Sequence, residues 1–96
     1  MKANEAIAKY GDFDELVKTV SKIAKDHNLW IGVAVSEDGD SLNVSFEVPD
    51  GAWELDFPTA REKVNLHLID RSLQLCYEKC GDGDMGKIMT YCVRGF

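Results

Sequence analysis

The clearest pattern in the chain is an alternation of apolar and polar positions between residues 29 and 48. A period of two is typical of strands with one buried face, and Asp38-Gly39 favours a tight hairpin turn between them. The pattern therefore predicts an antiparallel hairpin with its large apolar side chains on one face. The implied register pairs Val35 with Leu42, Val33 with Val44 and Ile31 with Phe46.

A third strand is predicted directly after this hairpin. Pro49-Asp50-Gly51 has the composition of a turn. The residues that follow alternate again, with apolar side chains at Trp53, Leu55 and Phe57. We therefore expect a three-stranded antiparallel meander, with Glu54 and Asp56 on its polar face.

Helices are predicted on both sides of the meander. Asp12 and Glu15 have the spacing of a capping box, and the apolar positions from residue 13 to residue 27 fall on one arc of a helix. A short helical turn is expected before it, over residues 4–9. Thr59 and Glu62 form a second capping box, which predicts a helix from residue 59 to residue 79 or 80. Residues 88–93 are β-prone and are expected to form a fourth strand.

The chain of 96 residues has one composition throughout, which leaves no room for a second domain. Residues 1–96 are therefore interpreted as a single α+β domain. Its antiparallel sheet of three or four strands is flanked by two main helices, in the order α-β-β-β-α-(β).

The long second helix of this prediction carries two apolar seams. One seam is expected to face the sheet and consists of Leu66, Ile69, Leu73, Cys76 and Cys80. The other lies almost opposite and consists of Val64, Leu68 and Leu75. This second seam is either covered by another element of the chain or forms the contact of a homodimer.

Charge is distributed unevenly along the chain. The formal net charge is −6, and residues 29–58 contain no Lys or Arg. The acids of this segment are Glu37, Asp38, Asp40, Glu47, Asp50, Glu54 and Asp56. This balance argues against direct binding to nucleic acid or to an anionic membrane, and it predicts a basic protein as the partner.

The polar face of the predicted sheet is the candidate binding surface. It combines one large aromatic side chain, several small residues and carboxylates, a composition that suits docking around an aromatic anchor. The alternative is a solvated face on which Trp30 is covered by its own chain. The candidate partner-binding residues are Trp30, Glu37, Asp38, Asp40, Asn43, Glu47, Glu54 and Asp56.

No motif predicts catalysis, a metal site or a cofactor. Cys76, Cys80 and Cys92 lack a CxxC pair, so packing in the core is expected rather than a zinc site with His27 or His67. The chain has no phosphate-binding loop, nucleophile elbow or HExxH motif. The odd number of cysteines also favours reduced thiols over a disulfide framework. We therefore expect a protein that is not an enzyme.

These observations predict a small acidic binding protein of the cytoplasm, because no secretory signal or membrane-spanning stretch is evident. By size and charge it is similar to nuclease immunity proteins and to phage proteins that inhibit restriction or CRISPR complexes, which implies docking on a basic, nucleic-acid-binding surface. The alternative is a homodimeric chaperone-like or structural accessory protein. The element order is similar to the front half of acidic type III secretion chaperones, and this resemblance implies a dimer that holds another chain.

Overall fold

The computed structural model describes residues 13–35, 42–83 and 86–95. Its elements, in chain order, are α1 (Phe13–Asp26), β1 (Trp30–Val35), β2 (Leu42–Pro49), α2 (Asp56–Ile69), β3 (Leu73–Gly83) and β4 (Gly86–Gly95). The strands form one antiparallel sheet in the order β1-β2-β4-β3. The predicted α+β class, with an antiparallel sheet and two helices, is confirmed. The helical turn predicted over residues 4–9 and the Asp38-Gly39 turn lie outside the described residues.

Both helices pack on the same face of the sheet. Helix α1 contacts β1, α2 contacts β3, and the two helices contact each other. Phe46 of β2 lies at the centre of this layer, with its ring edge-on to Phe57 of α2 at 5.5 Å and to Tyr91 of β4 at 6.0 Å between ring centroids. The buried cluster is apolar and draws residues from both helices and from β2, β3 and β4, while Ile31 and Val33 of β1 pack against it half-buried.

The predicted β1–β2 hairpin is confirmed in its register. Val35 lies opposite Leu42, Val33 opposite Val44, and Ile31 opposite Phe46. Burial alternates along β2 as the pattern predicts, with the even-numbered apolar residues inside. The alternate residues of both strands point away from the core, and among them Trp30 lies directly across from Glu47.

The third strand predicted at residues 53–57 is wrong. Residues 50–55 form a turn, and Asp56 begins α2. The carbonyl oxygen of Ala52 accepts hydrogen bonds from the backbone N–H groups of Asp56 (3.1 Å) and Phe57 (3.0 Å), which starts the helix early. Trp53 then stacks on Phe57, four residues later, at 5.5 Å between ring centroids. These contacts satisfy backbone groups and bury apolar surface locally, so they replace the meander.

The second predicted helix is also too long, because α2 ends at Ile69. The backbone N–H groups of Arg71 and Ser72 bond the carbonyl oxygens of Leu68 (2.9 Å) and Ile69 (3.0 Å), and Ser72 has a φ of 58° that reverses the chain. The rest of the predicted helix is β3, which pairs with β4 along almost its whole length. The fourth strand predicted at residues 88–93 lies within β4.

The two predicted seams have the opposite roles in the structure from those expected. Val64 and Leu68 are fully buried in the core together with Phe57 and Ala60, whereas Leu66 is 56% exposed. A self-association surface built on Val64 and Leu68 is therefore wrong. The third member of that seam, Leu75, lies half-buried on β3.

The burial of α2 predicts a large difference between two identical substitutions. Leu68→Ala should lower the free energy of unfolding by about 2–5 kcal/mol, because it leaves a cavity in the core. Leu66→Ala on the exposed side of the same helix should change it by about 0.5 kcal/mol. Urea denaturation of both variants measures the difference, and equal losses would contradict this orientation of α2.

His67, near the end of α2, predicts a pH dependence of stability. Burial lowers the pKa of His67, and the charge of Arg71 lowers it further. The Arg71 Nη1 atom lies 3.2 Å from His67 Nδ1. Because arginine only donates, Nδ1 accepts this hydrogen bond in the neutral ring. The unfolded state therefore binds the proton more readily than the folded state.

The free energy of unfolding should thus fall as the pH drops from 7.5 through about 6.5, the usual pKa of histidine. His67→Leu should flatten this dependence, and Leu66→Ala, at the exposed neighbouring position of α2, should leave it intact. Urea denaturation at pH 7.5 and 5.5 provides the test. A slope that His67→Leu does not change would overturn the assignment.

Candidate functional site

One face of the sheet carries no helix among the described residues, since α1 and α2 occupy the other. We call this surface the open face. Its residues are, strand by strand, Trp30, Gly32 and Ala34 of β1, Asn43, Ser45 and Glu47 of β2, Ile88, Thr90, Cys92 and Arg94 of β4, and Gln74, Lys79 and Gly81 of β3. Most of these side chains are short, so the surface is flat around its large residues.

Trp30 is the most prominent side chain of the open face. It begins β1, an edge strand of the sheet, and is 74% exposed. The sequence left open whether Trp30 is exposed or covered by its own chain, and the described residues leave it exposed. Its indole ring has no aromatic or cationic partner among the described residues.

Trp53, the second tryptophan of the chain, shows a different environment. Its ring is stacked on Phe57, and the Nζ atom of Lys87 lies 4.1 Å from its centroid. Trp53 is thus half-buried with an aromatic and a cationic partner on its ring, whereas the ring of Trp30 has neither among the described residues.

A notch lies on the open face beside Trp30. It has a volume of about 350 Å³, and the indole, Gly32, Ser45, Glu47 and Ile88 form its lining together with the β1–β2 backbone. A Cβ atom placed on Gly32 would meet nothing within 4 Å, so the floor of the notch is open. The Glu47 side chain is exposed and forms no ion pair with a described residue.

The other predicted site residues are only partly brought together. Asn43 is exposed on the open face. Glu54 lies in the turn before α2 and Asp56 begins that helix, so the prediction that both lie on the sheet face is wrong. Glu37, Asp38 and Asp40 lie outside the described residues.

The open face carries basic residues that the sequence interpretation missed. Lys79 of β3 and Arg94 of β4 lie on it, away from Trp30. Lys79 was missed because residues 73–80 were assigned to a helix, which removed β3 from the sheet, and Arg94 was missed because it lies just beyond the fourth strand predicted at residues 88–93. The open face is therefore acidic beside Trp30 and basic toward β3 and the far end of β4.

The end of the sheet at which Trp30 lies gathers acidic residues from several elements. Here β2 and β3 end while β1, β4 and α2 begin. The carboxylates at this end are Glu47, Asp50, Glu54, Asp56 and Asp82.

A second cavity, of about 430 Å³, lies between α2 and strands β3 and β4. Tyr91 lines it and is only 5% exposed, and its hydroxyl has no hydrogen-bond partner among the described residues. Burial raises the pKa of Tyr91, while the nearby guanidinium of Arg61 acts in the opposite direction without reaching hydrogen-bond geometry. The side-chain oxygen of Asn65 accepts a hydrogen bond of 3.3 Å from the backbone N–H of Leu75. This bond joins α2 to β3 along one wall of the cavity.

The cysteines do not form the buried packing group that was predicted. Cys76 and Cys80 are exposed on β3, Cys92 is half-buried on β4, and all three are free thiols. β3 is an edge strand that extends beyond the helices, so its thiols are exposed. Within residues 13–35, 42–83 and 86–95, no three His, Cys, Asp or Glu side chains are grouped so as to hold a metal ion.

Comparison with known proteins identifies no relative. No protein-family model matches the chain, and neither a curated protein nor a solved structure is significantly similar to it. Neither of the two described helices has the length and apolar character needed to cross a bilayer. The site is therefore interpreted from its own geometry.

The unpartnered hydroxyl of Tyr91 predicts an unusual response to its removal. Tyr91→Phe should leave the free energy of unfolding unchanged or raise it by about 1 kcal/mol, because a buried hydroxyl without a partner is unfavourable. Thr90→Val is the contrast, since the Thr90 hydroxyl lies 3.0 Å from that of Ser45 and should cost about 1 kcal/mol when removed. Both are measured by urea denaturation. A loss above 1 kcal/mol for Tyr91→Phe would show that the hydroxyl has a stabilising partner.

Proposed function

We propose that this chain is a small non-enzymatic binding protein that docks on a basic protein partner through the half of the open face around Trp30. The observation that carries the proposal is the exposure of Trp30, 74%, on a flat sheet surface directly opposite the carboxylate of Glu47. An exposed tryptophan of this kind contributes nothing to the core of its own chain. It is the residue type most enriched in the energetic centres of protein interfaces.

The surroundings of Trp30 suit an anchor. An aromatic side chain buries roughly 150–250 Å² when it is covered, so covering the indole releases a large apolar surface from water. Gly32, Ala34 and Ser45 are short and let a partner approach the strands closely. The partner can therefore enclose the indole without displacing other side chains.

The charge of the chain supports a basic partner. The net charge is −6, and the acidic residues near Trp30 would attract a positively charged surface and raise its association rate at low salt. Lys79 and Arg94 lie on the other part of the open face and would oppose a basic partner there. The proposed contact is therefore centred on β1 and β2.

A basic groove that binds nucleic acid is the partner surface we favour, so the chain would act as an inhibitor that occupies it. The same proposal places the protein in the cytoplasm. Exposed, unpaired thiols at Cys76 and Cys80 suit a reducing compartment. The alternative of a homodimeric chaperone-like protein loses its main support, because Val64 and Leu68 are buried.

The test is an affinity measurement on the partner captured from the native host. Trp30→Ala should weaken binding by about 30-fold or more, as expected for an energetic centre worth about 2 kcal/mol. Leu55→Ala is the matched control, because Leu55 is 78% exposed but lies in the turn before α2 and off the open face.

Salt and charge variants complete this test. Glu47→Lys should slow association, and binding of the unaltered chain should weaken as ionic strength rises. If Trp30→Ala and Leu55→Ala bind the partner equally well, the open face is not the contact surface and the proposal fails.

A further inference from the structure

We infer that the notch beside Trp30 recognises one arginine side chain of the partner, with the guanidinium stacked on the indole and paired with Glu47. This inference rests on the proposed function and adds the chemical group that its central site takes. It stands on the placement of an aromatic ring, a carboxylate and an open floor in one notch.

The notch brings together the two groups that bind a guanidinium. Trp30 and Glu47 are directly opposite residues of neighbouring antiparallel strands, and such pairs have Cβ atoms about 4.5–5.5 Å apart. The Oε1 atom of Glu47 lies 3.8 Å from a Cβ placed on Gly83 of β3, so the carboxylate would turn toward β1 to meet a cation on the ring face of Trp30. The absence of a side chain at Gly32, where an added Cβ would meet nothing within 4 Å, leaves room for the cation to lie over β1.

The two tryptophans of the chain support this interpretation. The ring of Trp53 already has a cation, with the Nζ atom of Lys87 4.1 Å from its centroid. Trp30 has the same ring and a neighbouring carboxylate, yet no described residue supplies the cation. The Glu47 carboxylate is likewise without an ion pair among the described residues. An external cation would complete both groups.

The position of Lys25 selects the side of the indole on which the cation binds. A cavity of about 560 Å³ lies between the end of α1 and β1, and Trp30 and Lys25 both line it. The charge of Lys25 opposes a second cation there. The notch beside Glu47 has no basic residue in its lining, so it is the side that favours an arginine.

Arginine fits this site better than lysine. A guanidinium is planar, so it can stack on an indole and still donate hydrogen bonds in its plane to a carboxylate. An ammonium group has no such plane and is more strongly hydrated. The notch should therefore prefer arginine over lysine and reject citrulline, which has a similar shape but no charge.

The experiment is a titration followed by NMR of the indole N–H signals of Trp30 and Trp53. The probes are three blocked tripeptides, acetyl-Gly-X-Gly-amide, in which X is arginine, lysine or citrulline. We expect the Trp30 signal to shift and saturate with the arginine peptide, with affinity at least three-fold weaker for lysine and no saturation for citrulline. The Trp53 signal should stay in place, because that ring is already covered, and it reports that the chain remains folded.

Three variants sharpen the result. Glu47→Gln should weaken arginine binding at least three-fold, whereas Glu54→Gln, at an exposed carboxylate outside the notch, should not. Gly32→Val should abolish binding by filling the floor, and the open space there predicts that the strand accepts the added side chain. A Trp30 signal that ignores the arginine peptide, or a Glu47→Gln variant that binds it normally, would overturn the inference.

The failure of this inference is distinguishable from failure of the proposed function. If the arginine peptide does not bind but Trp30→Ala still weakens the partner complex relative to Leu55→Ala, then Trp30 is an apolar anchor. In that case the proposed function stands and the arginine site is wrong. If Trp30→Ala leaves the partner complex unchanged, both fail.

Discussion

The packing of both helices on one face of the sheet is the arrangement on which the rest of this structure depends. Helices α1 and α2 contact each other and the two edge strands, and their apolar residues meet the inner side of β2 and β4 around Phe46. No polar or charged residue is buried among the described residues, so apolar contact is the main interaction between these layers, and the hydrogen bond from Leu75 to Asn65 adds to it. Because these two short helices supply apolar surface for one face only, no described element covers the other face of the sheet.

The uneven distribution of charge across the open face follows from the order of the strands. In the order β1-β2-β4-β3, β1 and β2 with Trp30 and the carboxylate of Glu47 occupy one side, and the strands that carry Lys79 and Arg94 occupy the other. A surface with this division favours one orientation of a charged partner, because rotating the partner would bring like charges together. The position of Trp30 at the acidic side then provides an apolar centre within the favourable half.

The two tryptophans show how position decides the role of one residue type. Trp53 lies in a turn from which it reaches Phe57 one helical turn later, and Lys87 covers its remaining surface. Trp30 lies on an edge strand, at a position whose side chain points away from the helices, so it does not pack in the core. Both are large aromatic residues followed by alternating positions, and nothing in their immediate sequence separates the packed residue from the exposed one.

The β1–β2 hairpin could be predicted from the sequence because its information is local. The period of two sets which side chains face inward, and the distance from the Asp-Gly pair sets the register, so the pairing of Trp30 with Glu47 follows without knowledge of the rest of the chain. The α+β class and helix α1 are equally local, since they depend on the amphipathic period of a short segment. Half of the candidate site was therefore predictable, namely Trp30 and Glu47 and their common face.

The second half of the chain was decided by tertiary structure. Residues 53–57 alternate like a strand, yet the bonds of Asp56 and Phe57 to Ala52 and the stacking of Trp53 begin a helix there. Residues 73–80 continue the helical pattern of α2, yet they belong to β3, because pairing with β4 satisfies their backbone groups across the sheet. These contacts join residues that are distant in sequence or depend on where the previous element ends, and periodicity carries no information about either. The sequence by itself determined the β1–β2 hairpin and the pairing of Trp30 with Glu47, whereas only the tertiary structure decided that Trp30 is exposed, where α2 lies, which of its seams is buried and that Lys79 and Arg94 share the open face.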